Sequence, residues 1–183
     1  MLTISHIRRL AHRLSPNELF TTRNCLSFGS RAAVDKALSR LVKFGEITRI
    51  ARGVFAKFTA NKVVYSPFQV ASVKARAFGK QIFIHGLAAA KELNISSSDN
   101  NEPTFATNGS TSSFRCQDTV IHLVSVSPRK THLEDKAAGL LVRAMWHLGK
   151  TKCTPKIVDI ATSSFQRSDR EDLRQSTWLM PAW

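Results

Sequence analysis

Between Arg31 and Lys57 the chain sets out eight side chains suited to holding a polyanion: Arg31, Lys36, Ser39, Arg40 and Lys43 in one run, then Arg49, Arg52 and Lys57 in a second. Arginine and lysine reach phosphate oxygens or guanine edges, and a serine hydroxyl donates to phosphate. The first five fall off the apolar stripe Val34, Ala37, Leu38, Leu41 and Phe44, whose i, i+3, i+4, i+7 spacing is that of a helix with one packed side. The other three sit on a short basic hairpin, which can lie along a nucleic-acid backbone or in a minor groove, with Arg52 at its tip. The same charges also fit a solvated, solubilising helix face, so the pattern admits both readings.

The elements that must carry these residues are legible in order. Ile4, Ile7, Leu10, Ala11 and Leu14 give an amphipathic first helix. Ser15-Pro16-Asn17-Glu18 combines a capping hydroxyl, a proline at the first helical position and a glutamate three residues on, predicting a second helix from Ser15 to Cys25 or Leu26. Ser30 caps the helix of residues 31–44 and Gly45 stops it. Residues 46–50 and 54–58 then read as two strands around Ala51-Arg52-Gly53. Helix, helix, turn, helix and hairpin in about sixty residues is the order of a winged helix-turn-helix, in which the third helix enters a major groove. Modules of this kind also dock proteins or bind RNA.

Charge agrees with that placement. The 183 residues hold 27 Lys+Arg against 13 Asp+Glu, a net +14, and residues 1–62 alone carry +9. A polyanion partner for the N-terminal end is expected, because each neutralised phosphate releases condensed counterions. The length allows one domain or two small ones, and the division expected here is 1–62 and 63–183. No run approaches the ~18 apolar residues of a membrane span, since Arg143 interrupts the most apolar stretch. No secretory signal is visible, although an Arg-rich, acid-free start also fits a transit peptide. Cys25, Cys116 and Cys153 are scattered, which suits free thiols in a reducing cytoplasm.

The run SRAAVDKALSRLVKFGEITRIARGVFAKF, Ser30 to Phe58, closely resembles the N-terminal domain of the AbiEi antitoxins, through Ser30-Arg31, Val34, Ala37-Leu38, Arg40-Leu41, Gly45-Glu46-Ile47, Arg49 and Arg52-Gly53-Val54-Phe55. IHGLAAAKELNIS (84–96), PRKTHLEDKAAGLLVRAMWHLGK (128–150) and the closing LMPAW are similar to later parts of such proteins, with Asn94 where glycine is usual. The resemblance implies a bacterial type IV toxin–antitoxin system, and with it a role in phage defence. Its antitoxin represses its own operon by binding inverted repeats in promoter DNA and counteracts a nucleotidyltransferase-like toxin. It places DNA contact on the 31–43 helix and on the Arg49 to Arg52 wing, and implies an antitoxin domain in residues 63–183.

In that second part, Ser66-Pro67 opens a helix toward Phe78, with Phe68, Ala71, Ala75 and Phe78 expected on the packed side and Lys74, Arg76 and Lys80 on a basic outer side able to touch a DNA backbone. Ile82-Phe83-Ile84 is a short strand, and residues 86–93 form an Ala-rich helix suited to close approach. Residues 96–102 read as a polar loop. Asn108-Gly109 predicts a tight hairpin between 104–107 and 110–115, joined by 119–126 into a small antiparallel sheet. A helix from Leu133 to Gly149 is expected to cover that sheet, giving an α+β fold overall. Thr154-Pro155 and Ser168-Asp169-Arg170-Glu171 open two more helices, and the apolar close at Trp183 is expected either to dock or to precede further chain.

Motifs of catalysis are not evident. There is no phosphate-binding glycine loop, H-E-x-x-H or G-x-S-x-G, and the six histidines have no metal-ligand spacing. Asp159, Asp169, Glu171 and Asp172 could hold Mg²⁺ for a nuclease, but a position near a helix start accounts for them. The expectation is a non-enzymatic protein without metal or cofactor. The alternative to autorepression is a protein-docking module that neutralises its toxin by direct binding.

Overall fold

The computed structural model describes residues 2–60, 63–98 and 102–183. The chain forms two compact units of mixed α+β structure: one runs to Lys80 and also takes Ser113–Ile121, and the other holds Gln81–Ser112 and His122–Trp183. The expected boundary at 62/63 and the middle of the expected 96–102 loop fall on or beside residues outside the described ones.

In the first unit, helix α1 (Thr3–Arg13) buries Ile7 and Ala11, and helix α2 (Arg31–Lys43) buries Val34, Ala37, Leu38 and Leu41. Together with Phe20, Cys25, Ile47 and Phe55 these make one core. Each large side chain taken out of water here contributes roughly 1.5–3 kcal/mol. The Ser30 hydroxyl accepts from Ala33 N–H and so starts α2. Gly45, at φ +69°, ends it in a conformation that a β-carbon disfavours. Phe44, expected on the packed stripe, is 64% exposed. It lies beyond the last helical residue and at the stripe's edge.

The helix expected from Ser15 does not form. Residues 15–18 make a turn closed by Glu18 N–H donating to Ser15 O, with the Glu18 carboxylate accepting from Ser15 N–H. The chain then enters strand β1 (Leu19–Thr21), followed by a 3₁₀ segment Thr22–Phe28. The capping signal was real but local, and it was outweighed by pairing. β1 aligns antiparallel with β3 (Val54–Lys57), Phe20 opposite Phe55, and buries Phe20 against the Phe55 ring. Strand β2 (Ile47–Ala51) pairs with the other edge of β3, with a register shift between Arg49 and Ala51. The hairpin is therefore present, widened by β1 into three strands ordered β1-β3-β2. Helix α3 (Pro67–Arg76) starts at the Ser66–Gln69 capping box. Its packed side is Val70, Ala71 and Ala75, whereas Phe68 and Phe78 are exposed, and Lys74 turns inward, half-buried. Spacing placed those two phenylalanines inside, but Phe78 follows the last helical residue and Phe68 sits on the flank.

In the second unit, β4 (Ile82–Ile84) pairs antiparallel with β5 (Thr104–Thr107), and the end of β7 (Thr119–Ser125) pairs parallel with β5's other edge. This overturns the Asn108-Gly109 hairpin and the all-antiparallel sheet. With both edges of β5 occupied, β6 (Ser112–Cys116) has no place beside it; it keeps the expected neighbour β7 on one edge and on the other meets β2 through Cys116 opposite Ala51. Asn108 serves locally: its side-chain carbonyl accepts from Gln81 N–H, while Gly109 N–H donates to Thr107 Oγ1.

Helix α4 (Gly86–Glu92) packs on α6 (Ala137–Leu148) through Ala89, Ala90, Leu140, Leu141, Ala144 and Met145. The close approach expected of the small residues is real. A β-carbon on Gly86 would lie 2.6 Å from His147 Cβ and 2.7 Å from the Arg143 carbonyl. The long helix expected from Leu133 is shorter. A separate turn of helix, α5 (Pro128–Thr131), precedes it, and the Glu134 carbonyl folds back to accept from Arg143. Helix α7 (Pro155–Thr162) begins at the Thr154 cap. Helix α8 (Arg167–Gln175) is capped from Gln166, whose N–H donates to Asp169, two residues before the expected Ser168.

Candidate nucleic-acid interface

At 100° per residue, the basic residues of α2 cannot share one direction. Lys36, Arg40 and Lys43 lie opposite the buried Val34–Leu41 stripe, all exposed. Arg31 and Asp35 lie on the flank toward the hairpin, and Ser39 stands between the two groups. The flank borders a cleft of about 760 Å³ lined by Arg23, Arg31, Ser39, Arg49, Arg52 and Lys74, with Asp35, Phe55 and Phe78 among its other walls.

Each wall is positioned by a distinct local cause. Arg49 stands beside the β2 register shift, with its guanidinium 5.8 Å from the Phe55 ring centroid, inside cation–π range. Arg52 rides the tip, where Gly53 takes φ +79° so that the turn can close. From α3 the Lys74 ammonium donates to the Arg52 carbonyl at 2.7 Å and sits 4.8 Å from the Phe114 ring centroid. Burial, and then the Arg52 charge, hold its pKa below the ordinary lysine value. Arg31 Nε donates to Asp35 at 2.8 Å one turn along α2. Among the described residues no carboxylate pairs with Arg23, Arg49, Arg52 or Lys74.

Of the eight residues named from sequence, Arg31, Ser39, Arg49 and Arg52 are thus gathered around one cleft. Lys36, Arg40 and Lys43 project from the neighbouring helix face. Lys57 stands apart: its amine donates to the His12 carbonyl at 3.4 Å in a small hollow with Arg8 and Glu46, themselves an ion pair at 2.5 Å. Arg23 carries no signal of its own in the sequence, because the capping pattern at Ser15 predicts an ordinary helix across it. Lys74 carried only the general signal of a basic face.

Three of the four late acidic residues are used structurally. Asp169 caps α8, Asp172 meets Lys136 at 3.4 Å, and Glu171 accepts from Gln175. Among the described residues no three His, Cys, Asp or Glu side chains gather where a metal ion could be held. None of their helices is long and apolar enough to cross a membrane.

A family of unknown function, DUF6088, matches residues 6–173. The chain belongs to the DUF6088 family. No curated protein matches it. The matched span of this DUF6088 protein takes in both compact units, from α1 through most of α8.

Proposed function

We propose that this DUF6088 protein is a DNA-binding autorepressor whose N-terminal unit works as a winged helix-turn-helix, and that it acts as the antitoxin of a type IV toxin–antitoxin pair. The observation carrying the DNA part is the set of exposed cations on two successive elements, Lys36, Arg40 and Lys43 on the outer face of α2 and Arg49 and Arg52 on the hairpin, none of them paired with a carboxylate among the described residues. A helix presenting such a face enters a major groove while a basic hairpin follows the adjacent backbone. The element order α1, β1, 3₁₀, α2, β2, β3 and the strand order β1-β3-β2 support the winged-helix reading. The antitoxin role rests on the AbiEi resemblance of residues 30–58, and the cognate toxin would be a nucleotidyltransferase-like neighbour.

Fluorescence anisotropy on the DNA upstream of its own reading frame tests the reading. Binding should saturate, weaken steeply with salt, and drop on Arg40→Ala or Arg52→Ala, with each lost phosphate contact lowering the salt slope by about 1. Wild-type affinity in the double variant, or no preference for that DNA over unrelated duplex, would defeat it. Co-expression with the adjacent toxin reading frame tests the antitoxin half separately.

A further inference from the structure

We infer that the cleft bounded by α2, the β2–β3 hairpin and α3 is a binding site for a nucleoside 5′-phosphate, a small ligand that shares Arg49 and Arg52 with the proposed duplex contact but not Lys36, Arg40 and Lys43 on the outer face of α2. Its volume, about 760 Å³, lies within the range of small-molecule sites. Its walls divide by chemistry. Arg49, Arg52, Arg23 and Lys74 bring four cations without carboxylate partners among the described residues, and Asp35, held by Arg31, is the one acid on the lining. Positive charges lining one cleft repel one another, and Lys74 loses some of its ordinary basicity there by burial and by the nearness of Arg52. A phosphate dianion relieves that repulsion. Guanidinium groups suit it because their planar forks take two oxygens at once.

The remaining wall is apolar. Phe78 shows 67% of its surface and stands at the end of α3, with the Arg23 guanidinium 6.0 Å from its centroid, while Leu26 and Val42 lie nearby. An exposed aromatic ring in a cleft lined by cations is the pairing that holds a free nucleotide, by stacking at one end and by charge at the other. In an intact duplex the bases are stacked on each other, so the Phe78 ring has no base face to meet.

The test is a displacement titration on the full chain without DNA, using the fluorescent probe mant-AMP. The probe should saturate, and AMP or GMP should displace it at concentrations at least ~10-fold below those needed for adenosine or inorganic phosphate, each of which fills half the site. Phe78→Ala, at an exposed position, should weaken AMP about 5- to 150-fold, the range set by loss of one stacking contact, and leave displacement by inorganic phosphate unchanged. Phe78→Trp should restore AMP binding, and Arg49→Gln should weaken AMP and phosphate alike. An absence of saturable binding, equal displacement by phosphate and AMP, or an unchanged Phe78→Ala variant would each overturn the inference. Promoter binding is read separately, with DNA and no nucleotide: Arg49→Gln should weaken it as well, and Phe78→Ala should not.

Discussion

The Lys74 ammonium reaches from α3 to the tip of the β2–β3 hairpin and donates to the carbonyl oxygen of Arg52 at 2.7 Å. This bond joins the one that Thr22 N–H donates to the Gly53 carbonyl at 3.1 Å in tethering the turn, and it holds two cations side by side that would separate in open water. Lys74→Met keeps the apolar stem and removes the donor. It should lower stability in urea by about 1 kcal/mol and speed tryptic cleavage after Arg52, whose peptide bond is then free to leave the turn.

Promoter affinity should divide the basic residues by position. Arg52→Ala and Arg40→Ala should weaken binding at all salt concentrations and flatten the salt slope, whereas Lys57→Ala should leave both unchanged, because its amine is directed to the His12 carbonyl. Equal losses at Lys57 and Arg52 would show that general charge, not the helix and hairpin, attracts the DNA.

Arg143 is almost fully buried and bonds through Nη2 to Asp135 at 2.5 Å, and through Nη1 to the carbonyls of Lys130 and Glu134. Asp135 also accepts from Ile84 N–H, so one carboxylate ties α6 to β4. Asp135→Ala strands a buried cation and should cost about 3 kcal/mol. Lys136→Ala breaks the exposed pair with Asp172 and should cost under ~1 kcal/mol. Paired urea unfolding curves measure the contrast.

The rings of His85 and His147 meet edge-on with centroids 5.7 Å apart. Burial first holds both below the ordinary 6.5; His147 and Lys130 then act on His85, and Lys152 on His147. Lowered folded values mean that the unfolded chain binds more protons just below pH 6.5, so stability should fall as pH drops from there toward the depressed values and stay level above. Replacing both, His85→Gln with His147→Gln, should flatten that part of the curve of melting temperature against pH.

Burial pushes the Cys25 thiol up to about 11, so little nucleophilic thiolate exists near neutrality. At pH 8 a thiol reagent should modify the partly exposed Cys153 and spare Cys25 until denaturant is added. Mass spectrometry of the labelled peptides reads the order directly.

Helix α1, helix α2 with its Ser30 cap and Gly45 stop, the hairpin around Arg52 and the starts of α3 and α7 were legible in the sequence, because each depends on side chains within about one turn of one another. Even the two directions of cations on α2 follow from its period. Tertiary structure decided the rest. Ser15 carries a good helix signal, yet Phe20 gains more from lying opposite Phe55, which is distant in sequence. Asn108-Gly109 is a good turn, yet β5 already has β4 and β7 on its edges. Arg23 and Lys74 join Arg49 and Arg52 only after the chain has folded, since strand pairing and helix docking bring together residues whose separation along the chain leaves no periodic trace.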